Sequence, residues 1–270
     1  MRFDLLEAYG LDPEIIHLLK EKYGPDLLPI QEKAFKEHQI LAGGNFIIFA
    51  VTSAGKTLVG EILSLFNAGK GKRVFYLVPT KALAEEKFEQ FNEDYQKAGI
   101  KAVISTHDRR EFDQKIQEGN FHIAVIVYEK LHALLVKNPK LISEVGLIVI
   151  DELQYISEEE RGAALEILLT KILLAPDAPQ LVGLMAFLAQ WPGEVVTRDE
   201  IYSHLWPDHS NPHGSGKPYD RQISDHKRKI TAVPRAPQFQ IRNTNNHRPF
   251  NFHPPPFALG RLMRSLLLSN

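Results

Sequence analysis

The chain has 270 residues, 44% hydrophobic and 24% charged, which is room for one large or two modest domains in an ordinary globular composition. No apolar run approaches the ~18–20 residues of a membrane span, and Met1-Arg2-Phe3-Asp4-Leu5-Leu6-Glu7 does not read as a signal peptide, so no membrane partner is expected. With no cysteine there is no disulfide framework, cysteine zinc site or thiol nucleophile, and a cytoplasmic setting is expected; the net charge of −1 excludes little.

Through the first 180 residues, short apolar runs alternate with amphipathic stretches. The runs are Phe46-Ile47-Ile48-Phe49, Val74-Phe75-Tyr76-Leu77-Val78, Ala102-Val103-Ile104, Ile123-Ala124-Val125-Ile126-Val127 and Leu147-Ile148-Val149-Ile150. They are continuous rather than alternating, the pattern of parallel strands buried on both faces. Helix patterns at 58–66, 82–95 and 128–136 separate them, so a doubly wound α/β domain is expected over 1–178.

Directly after the first run comes Ala50-Val51-Thr52-Ser53-Ala54-Gly55-Lys56-Thr57, then a helix. This is the P-loop pattern with Ala in place of its first Gly. Backbone N–H groups at such a loop, and the positive end of the helix behind it, face phosphates. Thr52, Ser53, Ala54, Gly55, Lys56 and Thr57 are the candidate nucleotide-binding residues, with Lys56 on the β/γ-phosphates and Thr57 on Mg²⁺. The run 147–150 ends in Asp151-Glu152. Asp151 completes the Mg²⁺ site through water and Glu152 orients or deprotonates the attacking water, or else the two acids only cap a turn.

Beyond 175 the character changes. Residues 1–180 carry 21 Lys/Arg and 27 Asp/Glu, whereas 181–270 carry 11 and 6, with 10 of the 17 prolines. A basic second unit facing an anionic partner is therefore expected, with its boundary near 178. Leu181, Leu184, Met185 and Leu188 fall at i, i+3, i+4, i+7, which favours a helix over 181–190. A second helix is read at 198–205, a Pro/Gly/His/Ser-rich loop at 207–218 and a basic helix at 219–230. A weak strand-turn-strand follows, then a tail over 254–270. In the basic helix Ile223 and Ile230 can pack inward, leaving Arg221, Lys227 and Arg228 for phosphates or base edges, unless the face is merely solvated. His204, His209 and His213 have no supporting Cys and do not read as a metal site.

Residues 10–184 resemble the first RecA-like domain of superfamily 2 helicases, the DEAD/DEAH-box-like group. Pro29-Ile30-Gln31 is similar to the Q motif, Ala50 to Thr57 to motif I and Asp151-Glu152-Leu153-Gln154 to motif II. Val78-Pro79-Thr80-Lys81-Ala82-Leu83 is similar to motif Ia and Val127-Tyr128-Glu129-Lys130 to motif Ib. Ser105-Thr106-His107-Asp108 sits where relatives often carry Gly before the Asp. The resemblance implies ATP and Mg²⁺ as cofactors, with Gln31 reading adenine and Lys56, Asp151 and Glu152 as the catalytic set. It also implies a single-strand groove touched by Thr80, Lys81, Thr106 and Lys130. Where the family has Ser-Ala-Thr, this chain has Met185-Ala186-Phe187. No second RecA-like domain is read in 270 residues, so slow hydrolysis is expected unless a partner supplies that domain with its arginine. Residues 187–252 resemble an OmpR/PhoB-type winged-helix domain, here partial over 179–253, implying duplex-DNA contact. The competing class is a non-enzymatic DNA-binding regulator using that segment.

Overall fold

The structure, a computed structural model, describes residues 1–51 and 54–187. The readings placed on 188–270 lie outside the described residues: the winged-helix segment, the basic helix with Arg221, Lys227 and Arg228, and the tail.

The described residues build a six-stranded, wholly parallel sheet with helices on both faces, the RecA-like α/β architecture expected. The strands are β1 (Phe46–Val51), β2 (Arg73–Val78), β3 (Ala102–Ser105), β4 (Ile123–Val127), β5 (Val145–Ile150) and β6 (Gln180–Phe187). Their spatial order is β1-β6-β5-β2-β4-β3. The helices are α1 (Pro13–Tyr23), α2 (Pro29–Glu32), α3 (Lys56–Gly69), α4 (Lys81–Tyr95), α5 (Asp113–Gln117), α6 (Tyr128–Lys137) and α7 (Glu159–Leu173). Alternate strand residues serve opposite faces. Val74, Tyr76, Val125, Leu147 and Val149 join the core under α1, α3 and α4. Phe75, Leu77, Ala124, Ile126, Ile148 and Ile150 join the core under α6 and α7. Both faces are covered by buried hydrophobic side chains, which is why these strands read as unbroken apolar runs.

The helix expected over 181–190 is replaced through Phe187 by β6, which lies between β1 and β5. A continuous apolar run satisfies the i, i+3, i+4, i+7 template automatically, so helical spacing there carried no information. Position decides the matter. Leu181, Val182 and Leu184 are buried from both sides, and Asn45 Oδ1 accepts from the Leu181 N–H at 2.9 Å to fix the strand's start. The sheet therefore continues past the boundary expected near 178.

Helix α3 crosses this sheet at close range. A Cβ on Gly60 would stand 2.9 Å from Leu184 Cδ1 and 3.0 Å from Val149 Cγ1, so the absence of a side chain there sets the helix depth. Parallel strands place the turns after β1, β2, β3, β4 and β5 along one edge of the sheet, where ligands of open α/β folds bind.

Candidate nucleotide site

Two of those turns, after β1 and β5, meet on that edge across the end of β6. β1 runs into the phosphate loop, and Gly55 caps α3 with φ 84° and ψ 19°, a left-handed conformation that a side chain strains. Thr52 and Ser53 lie outside the described residues, while Ala54 and Thr57 are partly exposed at the mouth of the loop. Lys56 opens α3 with only 5% of its surface exposed. Its ammonium stands 4.0 Å from Glu152 Oε1. A buried ammonium held by one carboxylate at that range is under-solvated and suited to an anionic ligand.

β5 delivers the second turn. Asp151 is 5% exposed, and its backbone N–H donates to Leu77 O at 2.8 Å. Tyr76 Oη donates to Asp151 Oδ2 at 2.9 Å, and the Glu152 N–H donates to Oδ1 at 3.0 Å. Burial raises the Asp151 carboxyl above the ordinary range, and the Tyr76 hydroxyl opposes that rise. Burial, reinforced by the Asp151 charge, also pushes the Tyr76 and Tyr128 hydroxyls far up, so both remain protonated donors. Tyr128 donates to the Asp151 carbonyl. Glu152 follows with φ 55° and ψ 46°, uncommon for a residue with a side chain, which turns its carboxylate back toward Lys56. Gln154 Nε2 donates to Glu152 Oε2.

Gln31 sits against the loop from the other side and is almost fully buried. Its Oε1 accepts from the Leu28 N–H at 2.8 Å, and its Nε2 donates to Gly55 O at 3.0 Å. Those bonds fix the amide's orientation and leave one donor and one acceptor position unused. Beside it opens a cavity of about 390 Å³ walled by Tyr23, Leu28, Gln31, Gly55, Thr57 and Glu61.

The residues expected along a strand groove lie on the same edge, mostly engaged with the chain itself. Thr80 caps α4, its hydroxyl accepting from the Leu83 N–H at 3.3 Å. Lys81 is exposed and paired with Asp108, which holds its ammonium up and the Asp108 carboxyl down. Thr106 is buried, and Oγ1 accepts from the Arg109 N–H at 3.1 Å. Lys130 is buried with its ammonium on Asp113 Oδ2, while Ser105 Oγ donates to Asp113 Oδ1. Several groups at the site were missed in the sequence: Tyr76 and Tyr128, which hold Asp151, and Tyr23 and Glu61 at the cavity. The available signal was a hydroxyl or carboxylate inside an otherwise apolar run.

Oxygen ligands from Thr57 and Asp151 suit a hard cation such as Mg²⁺. Among the described residues no group of three or more His, Asp or Glu side chains is arranged to hold a metal by itself, so such an ion would draw its remaining ligands from phosphate and water. Also among the described residues, no helix is long and apolar enough to cross a membrane.

A buried-strand phosphate loop and a facing Asp-Glu turn on a RecA-like sheet define a P-loop nucleotide-binding unit. Residues 28–195 match the DEAD/DEAH box helicase family, and the chain belongs to it. That match takes in residues 187–195, the start of the segment that resembled a winged helix. The chain is 36% identical over 199 residues to the ATP-dependent DNA helicase Hel308 of Methanococcus vannielii, and 35% identical over 193 residues to that of Pyrococcus horikoshii. Each alignment covers 69% of this chain and 26% of the relative. A Hel308 of Methanocaldococcus jannaschii is 35% identical over 190 residues, 66% of this chain and 16% of the relative. The chain thus spans about a quarter or less of these relatives.

Proposed function

We propose that this chain is the ATP-binding unit of a superfamily 2 helicase-type enzyme, coupling ATP hydrolysis to nucleic acid, with DNA as the substrate polymer. The observation that carries the reading is the convergence of Lys56, Asp151 and Glu152 at one point of the sheet edge, with Gln31 beside the same loop. The backbone of residues 52–55 and the Lys56 ammonium bind the phosphates. Thr57 and Asp151 hold Mg²⁺, which neutralises charge on the phosphoryl oxygens when bound. Glu152 orients and deprotonates the attacking water. Gln31, fixed by Leu28 and Gly55, offers its remaining N–H and lone pair to the adenine edge.

Lys81 is the described groove residue best placed to exchange its partner for a phosphate, because an exposed ion pair is worth at most about 1 kcal/mol. Thr80, Thr106 and Lys130 shape that groove. A second RecA-like domain would add the arginine that completes the site. Contact of Arg221, Lys227 and Arg228 with duplex DNA is a further part of the proposal and is tested by binding of the full chain to duplex, with and without those cations.

ATP turnover of the full chain with and without single-stranded DNA tests the reading. Turnover stimulated by the strand, and lowered about 10²-fold or more in Glu152→Gln while ATP binding persists, is the expected result. Strand-independent turnover that Glu152→Gln leaves intact would overturn it.

A further inference from the structure

Glu61 lies on α3 one turn beyond Thr57 and is 2% exposed. A carboxylate buried to that degree needs hydrogen-bond donors directed at its oxygens. Tyr23 Oη donates to Oε2 at 2.9 Å, Gln90 Nε2 donates to Oε2 at 2.7 Å, and the Tyr95 hydroxyl donates to Oε1. Lys22 stands 3.8 Å from Oε1 and is paired with Asp94. Burial, then the Glu61 charge, push the Tyr23 and Tyr95 hydroxyls far above their usual range, so neither ionises.

These contacts join three elements. Tyr23 ends α1 and walls the cavity beside Gln31, Glu61 belongs to the helix that the phosphate loop opens, and Gln90 and Tyr95 belong to α4. Gln90 bonds both Tyr23 and Glu61, and its Oε1 accepts from Lys87 Nζ at 2.7 Å. Burial raises the Asp151 carboxyl, and the positive charge of Lys87, like the Tyr76 hydroxyl, opposes that rise. Stability alone does not call for a carboxylate here, since apolar replacements of buried ionic groups are often neutral or better. What an apolar side chain could not do is fix the direction of the Tyr23 hydroxyl, and with it the ring.

We propose that Glu61 is a positioning residue for the nucleotide base, holding Tyr23 as one wall of the base cavity and tying that wall through Gln90 to α4. The inference rests on the ATP reading above. It assigns Glu61 no contact with phosphate or with the reacting atoms.

The test is calorimetric titration of the full chain with Mg-ATP and, separately, with Mg-tripolyphosphate, which lacks the base. Glu61→Gln and Tyr23→Phe are compared with the unmodified chain; the Phe variant keeps the ring and deletes only the hydroxyl. Each substitution is expected to raise the Kd for ATP about five- to tenfold and that for tripolyphosphate less than about twofold. The double variant is expected to bind no worse than either single one, because both cut the same bond. Equal weakening of the two ligands, additive effects, or unchanged ATP affinity in Tyr23→Phe would overturn the inference. Should Glu61→Gln fail to fold, Tyr23→Phe carries the comparison alone. An unmodified chain that binds neither ligand overturns the ATP reading and this inference together, whereas binding that both variants retain overturns only the latter.

Discussion

Gly55→Ala perturbs two features of the nucleotide site at once. At φ 84° an alanine costs about 1 kcal/mol in backbone strain. Its Cβ would also press on Gln31 Nε2, far inside van der Waals contact, and stand 2.7 Å from Leu28 Cδ1. Gln31 must then give up its 3.0 Å bond to Gly55 O, a further loss of about 1 kcal/mol for a buried amide. The sum, about 2 kcal/mol, corresponds to a drop of roughly 4–8 °C in melting temperature for a protein of this size. ATP affinity is expected to fall about tenfold or more, because the displaced amide no longer faces the cavity. Thermal melts and Mg-ATP titrations of Gly55→Ala, Gln31→Ala and the double variant measure both quantities. Removing the Gln31 side chain relieves the clash, so the double variant should be about 1 kcal/mol more stable than additivity implies. Additive stabilities, or a Gly55→Ala chain that melts and binds like the unmodified one, would refute the reasoning.

Asp151→Asn should change how stability depends on pH. A carboxyl raised by burial binds its proton more tightly in the folded state, so it stabilises at low pH and that contribution is lost as pH rises through the raised value. Melting curves from about pH 4 to 8 are expected to show less of that decline in Asp151→Asn, with Mg-ATP binding weakened. Tyr128→Phe removes the donor to the Asp151 carbonyl and should cost about 1–2 kcal/mol in denaturant unfolding, with reduced turnover. Lys81→Ala and Lys130→Ala should diverge. The first is expected to lower the salt slope of single-strand binding by up to about one without affecting the melt. The second strips Asp113 of its ammonium and should destabilise the fold by about 1–3 kcal/mol.

The sheet was legible because a strand covered on both faces must be apolar throughout, and five of six strands announced themselves in that way. The sixth did not, since an unbroken apolar run fits the helical template as well; only its place between β1 and β5 separates the two. Helix α7 escaped notice although Leu165, Leu168, Leu169 and Ile172 repeat with helical spacing and are all buried. The loop residues Gly55 and Lys56 and the pair Asp151-Glu152 were readable because phosphate and Mg²⁺ chemistry dictates residue type and order. Tyr76, Tyr128 and Glu61 were not, because their roles follow from partners 23–75 positions away that only the sheet order brings together. The groove residues were readable as types but not as states. Lys81 and Lys130 look alike in sequence, yet one pairs in solvent and the other beneath the surface.

The claim on which the rest depends is that Lys56 holds the phosphates of ATP. Lys56 is 5% exposed and 4.0 Å from Glu152, whose carboxylate is part-exposed and also bonded by Gln154, so Lys56→Ala leaves no buried unpaired charge and need not unfold the chain. The deciding measurement is a calorimetric titration of Mg-ATP into the full chain and into Lys56→Ala. Saturable binding at one site, weakened at least about 10²-fold in a variant that still melts cooperatively, is the result this account requires. Equal affinity in the two proteins would contradict it.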